Sequence, residues 1–275
     1  MQRTAIVILN YEAYQETETC IDSILGKRLD VTGILVVDNG SKNDSYQHLK
    51  QKYEKNTQIK VIKSHKNLGF AKGNNLGIKV AKAIWKVNFI LLLNSDTIMI
   101  EEDYLEKLFC AYEKGVGVIQ TSALRLNGRY TQKNYGNYQL YGLLLDTIKE
   151  WCFYHNIYFP DKPGKWRGKK VGPWISGCDI FLTEDYFKVF QGLYPLTFLY
   201  GEEYLLAIML KKAKLEWKLV ENAHIVHAES RSTPDNFKEG TRKKQNMMLK
   251  TKRHIWLVKL LPLKRLQGII NYGKW

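Results

Sequence analysis

No run of apolar residues in this sequence approaches the roughly 18 residues that cross a bilayer as a helix. Residues 1–9 carry one positive charge and lead directly into a strand-like pattern, so no signal peptide is expected. The four cysteines are far apart and lack the spacing of a metal site; they are Cys20, Cys110, Cys152 and Cys178. These absences favour a cytoplasmic protein with reduced thiols.

The glycine-rich motifs of two large nucleotide-binding classes are absent as well. The first apolar segment, residues 5–9, is not followed by Gly-x-Gly-x-x-Gly, and the chain contains no Gly-Lys-Ser/Thr. A dinucleotide dehydrogenase and a P-loop NTPase are therefore disfavoured. A sugar nucleotidyltransferase, which remains an alternative, usually carries a glycine-rich basic loop after the first strand, and LNYEAY at Leu9 to Tyr14 lacks one.

Acidic residues are few relative to basic ones. The chain has 27 Asp and Glu against 42 Lys and Arg, a net charge of +15, which indicates an anionic partner. The bias is strongest in residues 238–275, where eleven residues are Lys or Arg and one is Glu. The charge leaves a non-catalytic membrane- or nucleic-acid-binding module as an alternative. Such a module would spread its basic residues over the first half as well, and no nucleic acid partner is expected.

The first hundred residues alternate between short apolar runs and amphipathic segments. The strands are predicted at residues 5–9, 34–37, 59–62 and 89–93, with helices at residues 14–25, from 44 or 45 to 53, and 70–83. Alternating elements with short connections favour a mostly parallel α/β sheet. At 275 residues the chain is long enough for one large domain with appendages.

Polar residues follow three of the predicted strands, at Asn10 to Glu12, Asp38 to Ser41 and Asn94 to Thr97. In an open α/β sheet the carboxyl ends of parallel strands share one edge, and ligands bind there. The loop at residues 67–75 is expected beside them, at the start of a helix where backbone N–H groups can hold a phosphate. Asp96 is the leading functional candidate; the alternative is that it caps a helix starting near Glu101.

Seven segments of the chain form a recognisable ordered set. They are Asn10-Tyr11, VVDNGS at Val36 to Ser41, NLGFAKGNNLGI at Asn67 to Ile78, LLLNSD at Leu91 to Asp96, PWISGCDIFLTEDYF at Pro173 to Phe187, LYGEEYLL at Leu199 to Leu206, and AHIVHAES at Ala223 to Ser230. In this order they resemble family 2 glycosyltransferases, and the nearest likeness is to the bacterial rhamnosyltransferase-like branch that builds surface polysaccharides. The resemblance implies the GT-A fold: α/β, with a mostly parallel nucleotide-binding sheet flanked by helices.

The resemblance and the composition together divide the chain. Residues 1–237 are expected to form a GT-A-like catalytic domain, with a nucleotide-sugar-binding half at 1–127 and an acceptor-side half at 128–237. Residues 238–275 form a basic amphipathic helical extension. The Tyr-, Trp- and Lys-rich stretch at residues 128–172 is expected to be an acceptor-side insertion.

The resemblance also implies a set of residues at the nucleotide-diphosphate sugar. These residues are Leu9, Asn10, Tyr11, Asp38, Asn39, Gly69, Asn74, Asn94, Ser95, Asp96, Trp174, Gly177 and Ser230. Tyr11 and Asp38 match the positions that hold the base and the ribose. Asn74 stands where many relatives carry an arginine near the base, which leaves the base open. The branch suggests dTDP-rhamnose as donor, with a UDP-sugar as the alternative.

A divalent cation, Mn²⁺ or Mg²⁺, is expected from the same resemblance. Asp96 matches the last carboxylate of the family's Asp-x-Asp motif, whereas Asn94 replaces the first. With one carboxylate fewer, we expect the metal to enter mainly with the donor diphosphate. His227 matches a family histidine that approaches the metal or the diphosphate. His224 is expected to pack on the opposite face of a predicted strand at Ala223 to Val226.

Glu203 matches the second acid of the family's Glu-Asp motif, the catalytic base, with Glu in place of Asp. It follows Glu202 at the start of a predicted amphipathic helix, Tyr204 to Lys212, where adjacent acids would also complement the helix dipole. A base suits an inverting transfer, because the acceptor hydroxyl must lose its proton as it attacks the anomeric carbon. Glu202 is the reserve candidate, or it orients the acceptor.

The sequence therefore predicts an inverting glycosyltransferase acting on a lipid-linked oligosaccharide or polysaccharide in capsule, exopolysaccharide or cell-wall synthesis. In residues 238–275, Met, Trp and Leu alternate with Lys and Arg, as in helices that lie on anionic bilayers. This pattern predicts peripheral contact with an anionic membrane surface, the inner face of the cell membrane. The alternative is a solvated helix packed on the catalytic domain.

Overall fold

The computed structural model describes residues 2–27, 29–125, 177–228 and 242–273. The strands in these ranges are β1 (Thr4–Asn10), β2 (Gly33–Asp38), β3 (Ile59–Lys63), β4 (Phe89–Asn94), β5 (Thr97–Met99), β6 (Val116–Arg125), β7 (Asp179–Leu182) and β8 (Glu216–His227). The helices are α1 (Tyr14–Leu25), α2 (Ser45–Tyr53), α3 (Phe70–Trp85), α4 (Tyr104–Ala111), α5 (Glu184–Val189), α6 (Glu202–Ala213), α7 (Arg242–Leu260) and α8 (Leu263–Tyr272). The predicted insertion at residues 128–172 lies outside the described residues.

The described strands form one sheet in the order β3-β2-β1-β4-β7-β6-β8-β5. The first four strands run parallel, as predicted. β7 is antiparallel to both β4 and β6, and β5 is antiparallel to β8, whereas β6 and β8 run parallel. The expected α/β class is confirmed, but the sheet is mixed beyond β4. The alternation that predicted parallel pairing ends at β4, so the sequence held no signal for this change.

Helix and strand bounds in the first hundred residues agree closely with the prediction. α3 continues two residues further than expected and ends where Lys86 adopts a left-handed conformation, with φ 51°. The segment after β4 differs. Asp96 is followed by the short strand β5, and the next helix begins at Tyr104 with Asp103 as its N-cap residue. The alternative that Asp96 caps this helix is therefore wrong.

The sheet buries apolar side chains on both faces. In β1, Ala5 and Val7 face the core formed with α3, α5 and α6, whereas Ile6 and Ile8 face the core formed with α1, α2 and α4. Successive strand residues point to opposite faces, so a strand covered on both sides must be apolar throughout. This explains why β1, β2 and β4 are continuous apolar runs rather than alternating patterns.

The predicted basic helical extension is present as α7 and α8. It packs on the helices that cover one face of the sheet. Ile255, Val258, Leu266 and Ile270 are buried in the core that contains α3 and α6. The Nζ of Lys212, in the last turn of α6, donates to the carbonyls of Lys259 at 2.9 Å and Leu261 at 2.8 Å. An ammonium at these carbonyls satisfies acceptors that α7 leaves open and complements its dipole.

A buried carboxylate ties β7 to its neighbours. Oδ2 of Asp179 accepts hydrogen bonds from the Thr121 N–H and hydroxyl, both at 2.8 Å, and from the Tyr104 hydroxyl at 3.3 Å. Burial raises the pKa of Asp179 to about 6. These contacts join β6, β7 and α4, and they give Asp179 a structural role.

Within the described part of the chain, none of the helices combines the length and the apolar character that crossing a bilayer requires.

Candidate functional site

The carboxyl ends of β1, β2 and β4 lie side by side. The registers pair Asn10 with Asp38 and Leu9 with Asn94, so the polar residues that follow these strands share one edge of the sheet. The sequence predicted this arrangement, and we call this edge, from Leu9 to Tyr11, Asp38 to Ser41 and Asn94 to Asp96, the site edge.

Asn10 and Asp38 hold the ends of β1 and β2 together. The Asn10 amide donates from Nδ2 to Asp38 Oδ2 at 2.8 Å, and the Ser41 N–H donates to Asp38 Oδ1 at 3.0 Å. The Thr17 hydroxyl donates to Asn10 Oδ1 at 2.9 Å. The side chains of Asn10 and Asp38 are fully buried. The contacts observed are structural, and the contact of either side chain with a nucleotide stays a prediction.

Asn39 attaches the loop before α3 to the site edge. Its Nδ2 lies 3.2 Å from both Asn67 Oδ1 and the Gly69 carbonyl, and its Oδ1 accepts from the Leu68 N–H at 3.0 Å. Tyr11, which is partly exposed, borders Asn67 and Glu12. The first turn of α3 therefore begins at the site edge, where its N–H groups and its dipole favour an anion.

Asn74, in the second turn of α3, carries an unused acceptor. Its side chain is 1% exposed, and Nδ2 donates to the Phe70 carbonyl at 3.1 Å. Its Oδ1 has no hydrogen-bond partner among the described residues. The adjacent Asn75 differs, because Nδ2 donates to the Leu193 carbonyl at 2.8 Å and Oδ1 accepts the Leu193 N–H at 2.6 Å. A buried amide oxygen without a partner is costly, which is consistent with a ligand contact at Asn74.

The structure brings the two predicted metal-binding residues together. β8 lies antiparallel to β5 with His227 opposite Thr97, so the His227 ring reaches Asp96. His227 Nε2 lies 3.2 Å from Asp96 Oδ1. Asp96 is 5% exposed, and this oxygen has no partner in hydrogen-bond geometry. A buried carboxylate oxygen beside an imidazole suits a divalent cation.

His224 takes the structural role expected of it. Its Nδ1 lies 2.8 Å from Glu101 Oε1, and Lys107 Nζ lies 2.9 Å from Glu101 Oε2. Burial alone would raise the pKa of Glu101, but the contacts with His224 and Lys107 lower it. Among the described residues, no cluster of three or more His, Cys, Asp or Glu side chains can hold a metal.

Glu203, in the first turn of α6, approaches the site edge. Its Oε1 lies 2.9 Å from the point that a Cβ atom would occupy at Gly177. The next residue, Cys178, accepts a hydrogen bond from the Asn94 N–H at 3.0 Å. Because Gly177 has no side chain, the Glu203 carboxylate can approach residues 177 and 178. These two residues adjoin Asn94 at the end of β4, two residues before Asp96.

The two residues that precede α6 have left-handed backbone conformations. Tyr200 has φ 72° and Gly201 has φ 86°. The left-handed region costs an aromatic residue about 1 kcal/mol or more, and such strain is typical of functional segments. This turn places Glu202 and Glu203 in the first turn of α6, where the helix dipole favours acids.

The acid pair differs in exposure. Glu202 is 7% exposed and its Oε1 has no hydrogen-bond partner among the described residues, whereas Glu203 is partly exposed. Burial and the charge of Glu203 raise the pKa of Glu202 to about 8, and burial also raises the pKa of Glu203. A carboxylate with a raised pKa is a stronger base near neutral pH, and Glu203 is the more accessible of the two.

The backbone of the loop before α6 also contacts the loop before α3. The Phe70 N–H donates to the Phe198 carbonyl at 2.8 Å. Gly69, with φ 81°, leaves no room for a side chain, because a Cβ atom would collide with that carbonyl. The sequence did not predict the role of Phe198, since a backbone acceptor leaves no trace in residue type.

Four of the predicted site residues remain to be placed. Ser95 is buried at the site edge, and Leu9 packs against Gly73 of α3. Trp174 and Ser230 lie outside the described residues.

Comparison with known proteins gives a family match over more than half of the chain. Residues 5–169 match the model described as "Glycosyl transferase family 2". The chain is 24% identical over 200 residues to the "Low-salt glycan biosynthesis hexosyltransferase Agl10" of Haloferax volcanii, covering 72% of this chain and 58% of that protein. It is 26% identical over 130 residues to an "Uncharacterized glycosyltransferase" of Haemophilus influenzae, covering 42% and 39%. The chain thus spans less than two thirds of either relative.

A solved structure has a similar fold. It is the mannosyltransferase PcManGT from Pyrobaculum calidifontis in complex with GDP-Man and Mn²⁺, with a TM-score of 0.59 and 11% sequence identity. The similarity covers 98% of this chain and 68% of that one. It concerns the fold, and it confirms the expected GT-A architecture.

Gly69→Ala tests the contact between the two loops. We expect it to lower the free energy of unfolding by more than about 2 kcal/mol, because the new methyl group adds a collision with Phe198 to the cost of a positive φ. Gly115→Ala is the matched control, since Gly115 has φ 95° but open space around its Cβ position. It should lose only about 1 kcal/mol. Urea unfolding measures both; equal losses would contradict a role for the Phe198 contact.

Proposed function

Because the chain belongs to glycosyl transferase family 2, we propose that it transfers a sugar from a nucleotide-diphosphate donor to an acceptor hydroxyl with inversion at the anomeric carbon. The observation that carries this proposal is the approach of Glu203 to Gly177, beside the end of β4 that leads to Asp96. A base and a metal-binding carboxylate on one edge suit this chemistry. Family membership also disfavours the nucleotidyltransferase and non-catalytic alternatives.

The donor in this proposal lies along the site edge. Its nucleoside would contact Tyr11, Asp38 and Asn39, and a polar group of the donor would satisfy the open Oδ1 of Asn74. The likeness to the rhamnosyltransferase-like branch favours dTDP-rhamnose, with UDP-sugars second. The relatives are named as a hexosyltransferase and as a mannosyltransferase bound to GDP-Man, so GDP-mannose belongs in the same screen.

Asp96 and His227 are the residues that would hold Mn²⁺ or Mg²⁺. When bound, a divalent cation offsets the charge that develops on the leaving nucleoside diphosphate. The fit rests on the buried Oδ1 of Asp96, which accepts no hydrogen bond among the described residues, and on the His227 Nε2 that lies 3.2 Å from it. Two protein ligands leave the other coordination positions to diphosphate oxygens and water.

Glu203 is the proposed base. Its carboxylate accepts the proton of the acceptor hydroxyl while that oxygen attacks the anomeric carbon from the face opposite the leaving group. Inversion follows from one displacement, so no covalent intermediate and no second nucleophile are needed. Glu202, the neighbouring acid, is the more buried of the two, and burial together with the charge of Glu203 raises its pKa to about 8.

Glu203→Gln should abolish sugar transfer while leaving nucleotide binding nearly intact. The amide is isosteric but cannot accept the proton, and loss of a general base typically costs about 10²- to 10⁴-fold in rate. Transfer is measured by release of the nucleoside diphosphate, and binding is measured by calorimetry with Mn²⁺ present. Loss of nucleotide binding would remove Glu203 from this role.

Glu202→Gln is the matched control for this experiment. It makes the same chemical change at the neighbouring, less exposed carboxyl, so we expect it to retain most of the transfer rate. A Glu202→Gln variant that is as inactive as Glu203→Gln would make Glu202 a second essential acid.

Asp96→Asn should abolish the effect of Mn²⁺ on nucleoside diphosphate affinity. In the unaltered protein we expect Mn²⁺ to strengthen that affinity at least about tenfold, because the cation is shared between Asp96 and the diphosphate. Glu101→Gln is the control, since Glu101 bonds His224 rather than His227. Calorimetry measures the nucleoside diphosphate affinity of both variants with and without Mn²⁺. Tight Mn²⁺ binding without nucleotide would contradict a metal that enters with the donor.

We further propose that the acceptor is a lipid-linked saccharide and that the protein contacts the inner face of the cell membrane peripherally. α7 uses Ile255 and Val258 for the protein core, but its outward face combines the exposed Lys250 and Arg253 with Leu257 and Leu260. A face of cations and leucines suits an anionic bilayer.

The membrane contact is tested with Leu257→Ser/Leu260→Ser rather than by deleting the extension, because deletion would remove buried core residues. The double variant should reduce sedimentation with anionic vesicles severalfold, while its thermal unfolding stays nearly unchanged. Binding to anionic vesicles that matches the unaltered protein would refute the contact.

A further inference from the structure

A cleft lies between α7 and the segment that precedes α6. Its volume is about 250 Å³. One wall is the loop from Leu196 to Leu199, and the other is α7, through Met247, Lys250, Thr251, Arg253 and His254. None of the contacts assigned above to the donor or the metal involves this cleft.

The cleft lies next to the turn that carries the proposed base. Gly201, the N-cap residue of α6, packs closely against Thr251, which lines the cleft. Thr197 also lines it and lies beside the carboxyl of Glu202, but its buried hydroxyl has no partner in hydrogen-bond geometry. A group bound in the cleft would therefore be close to the first turn of α6.

The loop from Leu196 to Leu199 separates the cleft from the site edge. Its Phe198 carbonyl accepts the Phe70 N–H at the start of α3, whereas the loop's other side lines the cleft. The cleft thus lies on the other side of this loop from the start of α3.

Two cations line the cleft without pairing with any carboxylate in the described part of the chain. Lys250 and Arg253 are exposed, and neither forms an ion pair with an acid among the described residues. The third basic residue, His254, shares a hydrogen bond with the Tyr194 hydroxyl at 3.1 Å, and burial lowers the pKa of its imidazole. Near pH 7 the cleft therefore presents two positive charges, a fit for a phosphate or diphosphate group.

Apolar side chains adjoin these cations. Leu196 is 43% exposed and Phe198 is 39% exposed, although both are large apolar residues of one short loop. Met247 lines the same cleft from α7. Exposed apolar surface beside unpaired cations is complementary to an anion that carries an apolar chain.

We propose that this cleft binds the phosphate or diphosphate ester that joins the acceptor saccharide to an apolar chain. Lys250 and Arg253 hold the anionic group, and Leu196, Phe198 and Met247 contact the first units of the chain. The saccharide then extends past the first turn of α6 toward Glu203. This inference rests on the proposed function and names the chemical class of its acceptor.

Binding of farnesyl diphosphate in detergent-free buffer tests the inference. We expect calorimetry to detect its binding to the unaltered protein, and Lys250→Gln/Arg253→Gln to weaken it at least about tenfold. Lys264→Gln/Arg265→Gln, on the exposed surface of α8, is the control with the same change in charge, and it should bind normally. Equal weakening in both double variants would reduce the effect to net charge and overturn the proposal.

Two further ligands distinguish the parts of the cleft. Farnesol should bind weakly, because it lacks the anion, and inorganic diphosphate should bind weakly, because it lacks the chain. If inorganic diphosphate binds as tightly as farnesyl diphosphate, the cleft is a simple anion site and the proposed chain contact is wrong.

Nucleoside diphosphate binding with Mn²⁺ is measured in the same preparations. If the unaltered protein binds the nucleotide but not farnesyl diphosphate, the acceptor inference fails and the proposed function stands. If it binds farnesyl diphosphate but no nucleotide, the proposed function fails while the cleft keeps its assigned ligand.

Discussion

The antiparallel pairing of β7 with β4 is the constraint on which the geometry of the site depends. It brings Cys178 to the end of β4, where its carbonyl accepts the Asn94 N–H at 3.0 Å. Because Gly177 has no side chain, the carboxylate of Glu203 can approach this point. A residue from α6 thus reaches an edge that is otherwise built by parallel strands. This pairing therefore brings Gly177, and with it the Glu203 carboxylate, to the site edge.

The local pattern of the sequence was sufficient for residues up to the end of β4, but it did not predict the short strand β5 that follows. Buried strands gave continuous apolar runs, and polar residues marked their carboxyl ends, so the site edge could be predicted. The change to antiparallel pairing at β7 could not, because strand direction in a sheet depends on contacts between distant segments. The roles of the Phe198 and Cys178 carbonyls were equally hidden, since any residue type supplies a carbonyl.

The extension at the end of the chain shows another limit of sequence analysis. Apolar residues at helical spacing have the same pattern whether they face a bilayer or a protein core. In α7 the stripe with Ile255 and Val258 packs on the protein, and a second stripe with Leu257 and Leu260 faces outward. The sequence predicted one amphipathic face, whereas the helix has two different apolar stripes.

Lys212 links α7 to α6, the helix that carries Glu202 and Glu203. α6 begins with Glu202 and Glu203. Near its other end, Lys212 donates hydrogen bonds to the carbonyls of Lys259 and Leu261, at the end of α7. A helix of 12 residues is a stiff rod roughly 18 Å long, so its two ends move as one body. A small tilt of α7 would therefore be passed along this rod to the carboxylates. A ligand that displaces α7 would in this way shift the carboxylates of Glu202 and Glu203.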